Sequence, residues 1–94
     1  MKTLVIYDIT DDRRRSKLAK HLQRYGLKRI QYSGFLGDLN PNDRLVLIRE
    51  IKAYVKDESD SIYVLPLCSR CIGTSAVVSV IEIDLKKSQT VEYV

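Results

Sequence analysis

The stretch LVIYD at residues 4–8 constrains this chain more than any other, because neighbouring rather than alternate residues are apolar. Side chains alternate across a strand, so Leu4 and Ile6 point to one side and Val5 and Tyr7 to the other. The pattern returns later, where Ile62 and Val64 oppose Tyr63, Leu65 and Leu67. Strands of this kind need cover on both faces. An antiparallel sheet with helices on one side has cover on only one.

The order of the other segments says where the helices lie. KTLVIYD is a short run rich in β-branched residues and bounded by turn formers, which predicts a buried strand. DDRRRSKLAKHLQRYG sets Leu18, Leu22 and Tyr25 at helical spacing with Ala19 beside them, starts acidic and stops at Gly26. KRIQYSGFLGDL predicts strand, divided by Gly34 and Gly37 into two pairing segments. NPNDRLVLIREIKAYVK opens with an Asn cap and a first-turn Pro, and then offers Leu45, Ile48, Ile51 and Val55 as one apolar stripe. DSIYVLPL and SAVVSVIEIDL are further strands. The order β-α-β-β-α-β is the ferredoxin-like split βαβ motif of the α+β class, here with an extra C-terminal strand.

A chain of 94 residues builds one core, so residues 1–94 are expected to form one domain. The economical cover for the second sheet face is another copy, packed sheet against sheet about a two-fold axis, which makes the expected state a homodimer. Residues from about 76 onward are expected to form a C-terminal strand extension that pairs across this dimer. No apolar run approaches the ~20 residues of a membrane span. The N-terminus MKTLVIYD has no secretory signal pattern, so no membrane partner and a cytoplasmic location are expected.

Charge is concentrated rather than spread. Residues 11–29 hold eight Lys or Arg against two Asp in a chain whose net charge is +4. Such a cluster suits a polyanion, because Lys and Arg contacts to phosphates supply much of nucleic-acid affinity. Arg13, Arg14, Arg15 and Lys17 are the candidate phosphate-binding residues, although Asp11 and Asp12 stand beside them as local ion-pair partners. Asp8 shares a face with Leu4 and Ile6 at the carboxyl end of its strand. A turn or a helix cap explains an Asp there. In a two-fold dimer through that face, however, two copies of Asp8 come together, and paired carboxylates repel unless a cation lies between them. Mg²⁺ takes one or two protein carboxylates and keeps its waters, so such a site needs no other ligand.

Two smaller features carry less. His21 is the only histidine, too isolated for a triad, and receives no catalytic role. CSRC at residues 68–71 has no second pair or nearby histidine to complete a zinc site, which leaves packed, reduced thiols or a tight disulfide.

YDI closing the first strand, RRR opening the first helix, QYSGFLG and DSIYVLPLCSRC together resemble CRISPR-associated protein 2, across almost the whole chain. The chain departs from the family pattern at Gly34 and Leu36, where a branched apolar and an acidic residue are more usual. The resemblance implies a ferredoxin-like homodimer that joins the spacer integrase and binds duplex DNA. It also implies, in some members, a Mg²⁺-dependent endonuclease acting on single-stranded RNA or on DNA, with Asp8 as catalytic residue and metal ligand. Two alternatives stand beside it: a non-catalytic DNA-binding adaptor, and a ribonuclease toxin similar to virulence-associated protein D.

Overall fold

The strand β1 (Lys2–Asp8) is hydrogen-bonded along both edges and so stands in the middle of the sheet. In the computed structural model, which describes residues 1–80 and Leu85, it is followed by α1 (Asp12–Arg24), β2 (Lys28–Gln31), β3 (Gly34–Asp38) and α2 (Pro41–Ile51). A 3-10 turn (Lys52–Tyr54), β4 (Ser61–Leu67) and a short α3 (Ser69–Thr74) complete the order. The four strands form one antiparallel sheet in the order β2-β3-β1-β4, the ferredoxin-like arrangement.

Local chemistry sets the helix ends. Asp11 caps α1 by accepting from the Arg14 backbone N–H at 2.8 Å. At the other end Gly26 takes φ +83°, while Leu27 N–H donates to Leu22 O and Gly26 N–H to Gln23 O. This is the Schellman closure that glycine permits. Asn40 caps α2 with Pro41 in its first turn, as the sequence predicts.

Val5, Tyr7 and Phe35 face the helices and meet Leu18 and Leu22 of α1 and Leu47 and Ile51 of α2. Each fully buried leucine of this set contributes about 2 kcal/mol. One expectation is corrected here: α2 buries Leu47 and Ile51, whereas Leu45 is 57% exposed and Val55 lies at the surface. The run LVLI is apolar all round the helix, so its spacing alone does not fix the phase. α3 is the one described element that the sequence pattern did not announce, lying where the strand DSIYVLPL ends.

On the opposite sheet face the pairing register aligns Leu4 with Leu36 and Leu65, Ile6 with Tyr63, and Asp8 with Ser61. Ile6, Leu65 and Tyr63 are 44%, 43% and 59% exposed there. The sheet is therefore two-sided, with one face packed and the other apolar and largely open, Leu36 alone of these residues being buried there. Residues 75–80 run without strand pairing in the single chain, and the rest of the expected C-terminal strand lies outside the described residues, apart from Leu85. No helix among the described residues is long and apolar enough to cross a membrane.

Candidate functional site

Asp8 ends β1 on the open face and is exposed. Its carboxylate has no hydrogen-bond or ion-pair partner among the described residues, so it is not spent on a turn or a cap. The caps of α1 belong to its neighbours instead: Asp11 serves the helix, and Asp12 pairs with Arg15.

The Ile9–Thr10 backbone, next in the chain after Asp8, is fixed from both sides. Ile9 is buried in the core, and its carbonyl accepts from Arg15 Nη1 at 2.8 Å. Thr10 donates its backbone N–H to Asp60 Oδ1 at 3.0 Å and its hydroxyl to Asp57 and Asp60. Asp60 is the centre of this knot. Its buried side chain also accepts from the backbone N–H groups of Lys56 and Asp57 and from Arg14 Nη1 at 2.5 Å. The backbone donors and the Arg14 guanidinium hold its carboxyl well below the usual carboxylate range. Arg14 also donates to the Tyr54 carbonyl at 2.8 Å and to Asp57 at 2.9 Å, and its own pKa is raised, chiefly by the bond to Asp60.

The RRR triplet is thus divided by the fold. Arg14 is turned inward on the Asp57–Asp60 segment, while Arg15 holds the Ile9 carbonyl and Asp12 and lies 5.7 Å from the centroid of the Tyr32 ring. Arg13 and Lys17 are exposed and unpaired among the described residues. With Lys20 and Arg24, also exposed, they form one row along α1 at spacings of four, three and four. Sequence reasoning missed Lys20 and Arg24 as members of this row. Their spacing was the available signal, overshadowed by the denser triplet.

Tyr7 and Phe35 are both core residues, with ring centroids 6.2 Å apart. His21 bridges the helices: its Nδ1 lies 2.9 Å from the Tyr54 hydroxyl and its Nε2 2.9 Å from Glu50 Oε1. Tyr25 donates to the same Glu50 oxygen, which pushes the phenol up to about 12 and holds the Glu50 carboxyl down. Cys68 and Cys71 are free thiols and both exposed, so the expectation of packed thiols is corrected.

No group of three or more His, Cys, Asp or Glu side chains among the described residues is arranged to hold a metal ion. Among the described residues, the donor at the end of β1 on the open face is a single hard carboxylate, that of Asp8. Such a group, exposed and without a protein partner, fits an oxygen-loving divalent cation when a second copy supplies another.

Comparison with known proteins agrees with this architecture. The family model described as CRISPR associated protein Cas2 matches residues 1–75. The chain is 50% identical over 94 residues, all of both chains, to a protein of Archaeoglobus fulgidus named CRISPR-associated endoribonuclease Cas2 1. It is 34% identical to the CRISPR-associated endoribonuclease Cas2 of Desulforudis audaxviator, over 85% of this chain and 76% of the relative. Among solved structures, Streptococcus pyogenes Cas2 superposes with a TM-score of 0.70 at 23% identity, covering 84% of this chain and 100% of that one. A hypothetical protein from Thermus thermophilus gives 0.66 at 30% identity, over 87% and 90%.

Proposed function

Because the chain belongs to the CRISPR associated protein Cas2 family, we propose that it acts as a two-fold homodimer that binds nucleic acid and hydrolyses phosphodiesters at Asp8. The observation that carries this reading is the state of Asp8: an exposed carboxylate without an internal partner, at the rim of an apolar sheet face, on a backbone fixed on its far side by Arg15 and Asp60. Packing two open faces together removes Ile6, Leu65 and Tyr63 from water and brings the two Asp8 residues to a common rim.

Asp8 of each copy would hold Mg²⁺, which supplies Lewis-acid activation of the phosphate and of a bound water. The chain's own residues do the rest. Arg13, Lys17, Lys20 and Arg24 bind the phosphate backbone along α1, Arg15 keeps the Asp8–Thr10 backbone in place, and the Arg14–Asp60 knot anchors that segment to the start of β4. The spacer integrase, as partner of the dimer, and the choice between RNA and duplex DNA belong to this same proposal.

A second reading has its own support. One carboxylate per chain and no cluster of three metal-binding groups among the described residues is a sparse set for a nuclease, which favours an adaptor whose partner performs the chemistry. Asp8→Asn separates the two. It keeps shape and removes charge, so cleavage of labelled RNA or DNA in Mg²⁺ should fall to background while duplex affinity and sedimentation are retained. Undiminished cleavage by the purified variant overturns the Asp8 mechanism and leaves the adaptor.

A further inference from the structure

We propose that Cys68 and Cys71 form a reversible intramolecular disulfide by exchange with a low-molecular-weight disulfide, and that this bond is a redox latch at the exit of the sheet. The pair is independent of the Asp8 reading. It lies at the opposite end of β4: Leu67, the residue before Cys68, pairs with Lys2, whereas Asp8 pairs with Ser61.

The geometry is that of a thiol pair on one helical turn. Cys68 caps α3, and its sulfur accepts from the Cys71 backbone N–H at 3.4 Å. The two cysteines stand three residues apart on that one turn. Both residues are exposed, which lets an external disulfide reach them. No carboxylate or imidazole among the described residues joins them to make a set of three metal ligands.

The environments of the two sulfurs differ in a useful direction. The Cys71 backbone N–H, and after it the nearby Cys71 thiol and the Arg70 backbone N–H, lower the Cys68 pKa, while the nearness of Cys68 raises that of Cys71. The thiolate is the attacking form, so Cys68 attacks first. Its sulfur bonds to one sulfur of the external disulfide, whose other half leaves as a thiolate and takes up a proton. The Cys71 thiol then loses its proton to solvent, attacks the Cys68 sulfur and displaces the second half as a thiol. Two protein thiols are oxidised and one small disulfide is reduced to two thiols. The new bond closes a ring over CSRC and pins the first turn of α3 to the end of β4, where the chain leaves toward residues 75–80.

The test uses the full reduced chain, freed of metal, with graded oxidised glutathione at pH 7, acid quenching, maleimide labelling and intact-mass measurement. The expected product has lost two hydrogens, takes up no maleimide, runs as a single chain on a non-reducing gel and returns to two labelled thiols in dithiothreitol. Cys71→Ser should accumulate a one-to-one glutathione adduct, and Cys68→Ser, whose remaining thiol lacks the backbone N–H bond, should form its adduct more slowly. Disulfide-linked pairs of chains overturn the proposal. So do thiols that stay reduced where the guanidinium-unfolded chain oxidises, equal rates for the two single variants, or one Zn²⁺ held tightly per two chains in a form that resists oxidation.

Discussion

Replacing Arg13, Lys17, Lys20 and Arg24 together by Gln tests the assignment of the polyanion surface to the outer row of α1. Eleven residues separate the first from the last, so the row extends about 16 Å along the helix. Each phosphate neutralised on a duplex contributes about 0.9 to the slope of log affinity against log salt, so four contacts contribute about 3.6 per bound chain. From about 50 to about 200 mM salt, those four contacts alone weaken binding by about 150-fold. The variant should therefore bind more weakly at low salt and lose about 3.6 from its slope, measured by fluorescence anisotropy of a labelled duplex in a NaCl series. Gln has nearly the helix propensity of Lys and Arg, and none of the four has an ion pair among the described residues, so far-UV circular dichroism should be unchanged. Arg14→Gln is the internal control, because Arg14 is committed to Asp57, Asp60 and the Tyr54 carbonyl. An unchanged slope in the fourfold variant, or a loss of one unit or more in a folded Arg14→Gln, refutes the assignment.

Asp60→Asn should lower the melting temperature by more than about 5 °C at pH 7, since the amide cannot satisfy the same ring of donors. The folded-state pKa of Asp60 is depressed, so its contribution is full above the unfolded value of about 3.9 and is lost as pH falls toward the folded one. Thermal melts from neutral to strongly acidic pH should show the gap between variant and parent closing below about pH 4, and a gap independent of pH contradicts an ionised knot. Ile6→Asp on the open face should shift sedimentation from dimer toward the 10.8 kDa monomer while the circular dichroism is preserved, and a wild-type chain that is monomeric at micromolar concentration removes the dimer premise. Gly37→Ala should cost about 1–3 kcal/mol in a denaturant titration, because an added Cβ meets Leu27 Cα at 3.1 Å and Gly26 O at 3.2 Å.

The strands and the first helix were legible because their signals are local. Apolar runs and β-branched residues mark β1 and β4, Gly34 marks the β2–β3 break, and Leu18 and Leu22 set the phase of α1. The face of Asp8 followed from strand alternation alone. Besides the short α3, two things were not legible. The phase of α2 was ambiguous because its centre is apolar on every side, and only the sheet beneath it selects Leu47 over Leu45. The fates of Arg14 and Arg15 were hidden because a charged triplet looks the same whether it faces solvent or protein. Arg14 is turned inward by carboxylates more than forty residues away, which no local pattern announces.

The same separation along the chain decides when the Asp8 segment takes shape. Thr10 is held by Asp60 fifty residues later in the chain, and Arg14 by the same carboxylate. A growing chain that has made β1 and α1 but not residues 54–61 has the carboxylate without the backbone that aims it. Contacts of such sequence separation form late, after the loop between them has been closed. The orientation of Asp8 is thus a property of the completed domain, and a chain cut short before Tyr54 carries Asp8 without the knot that aims it.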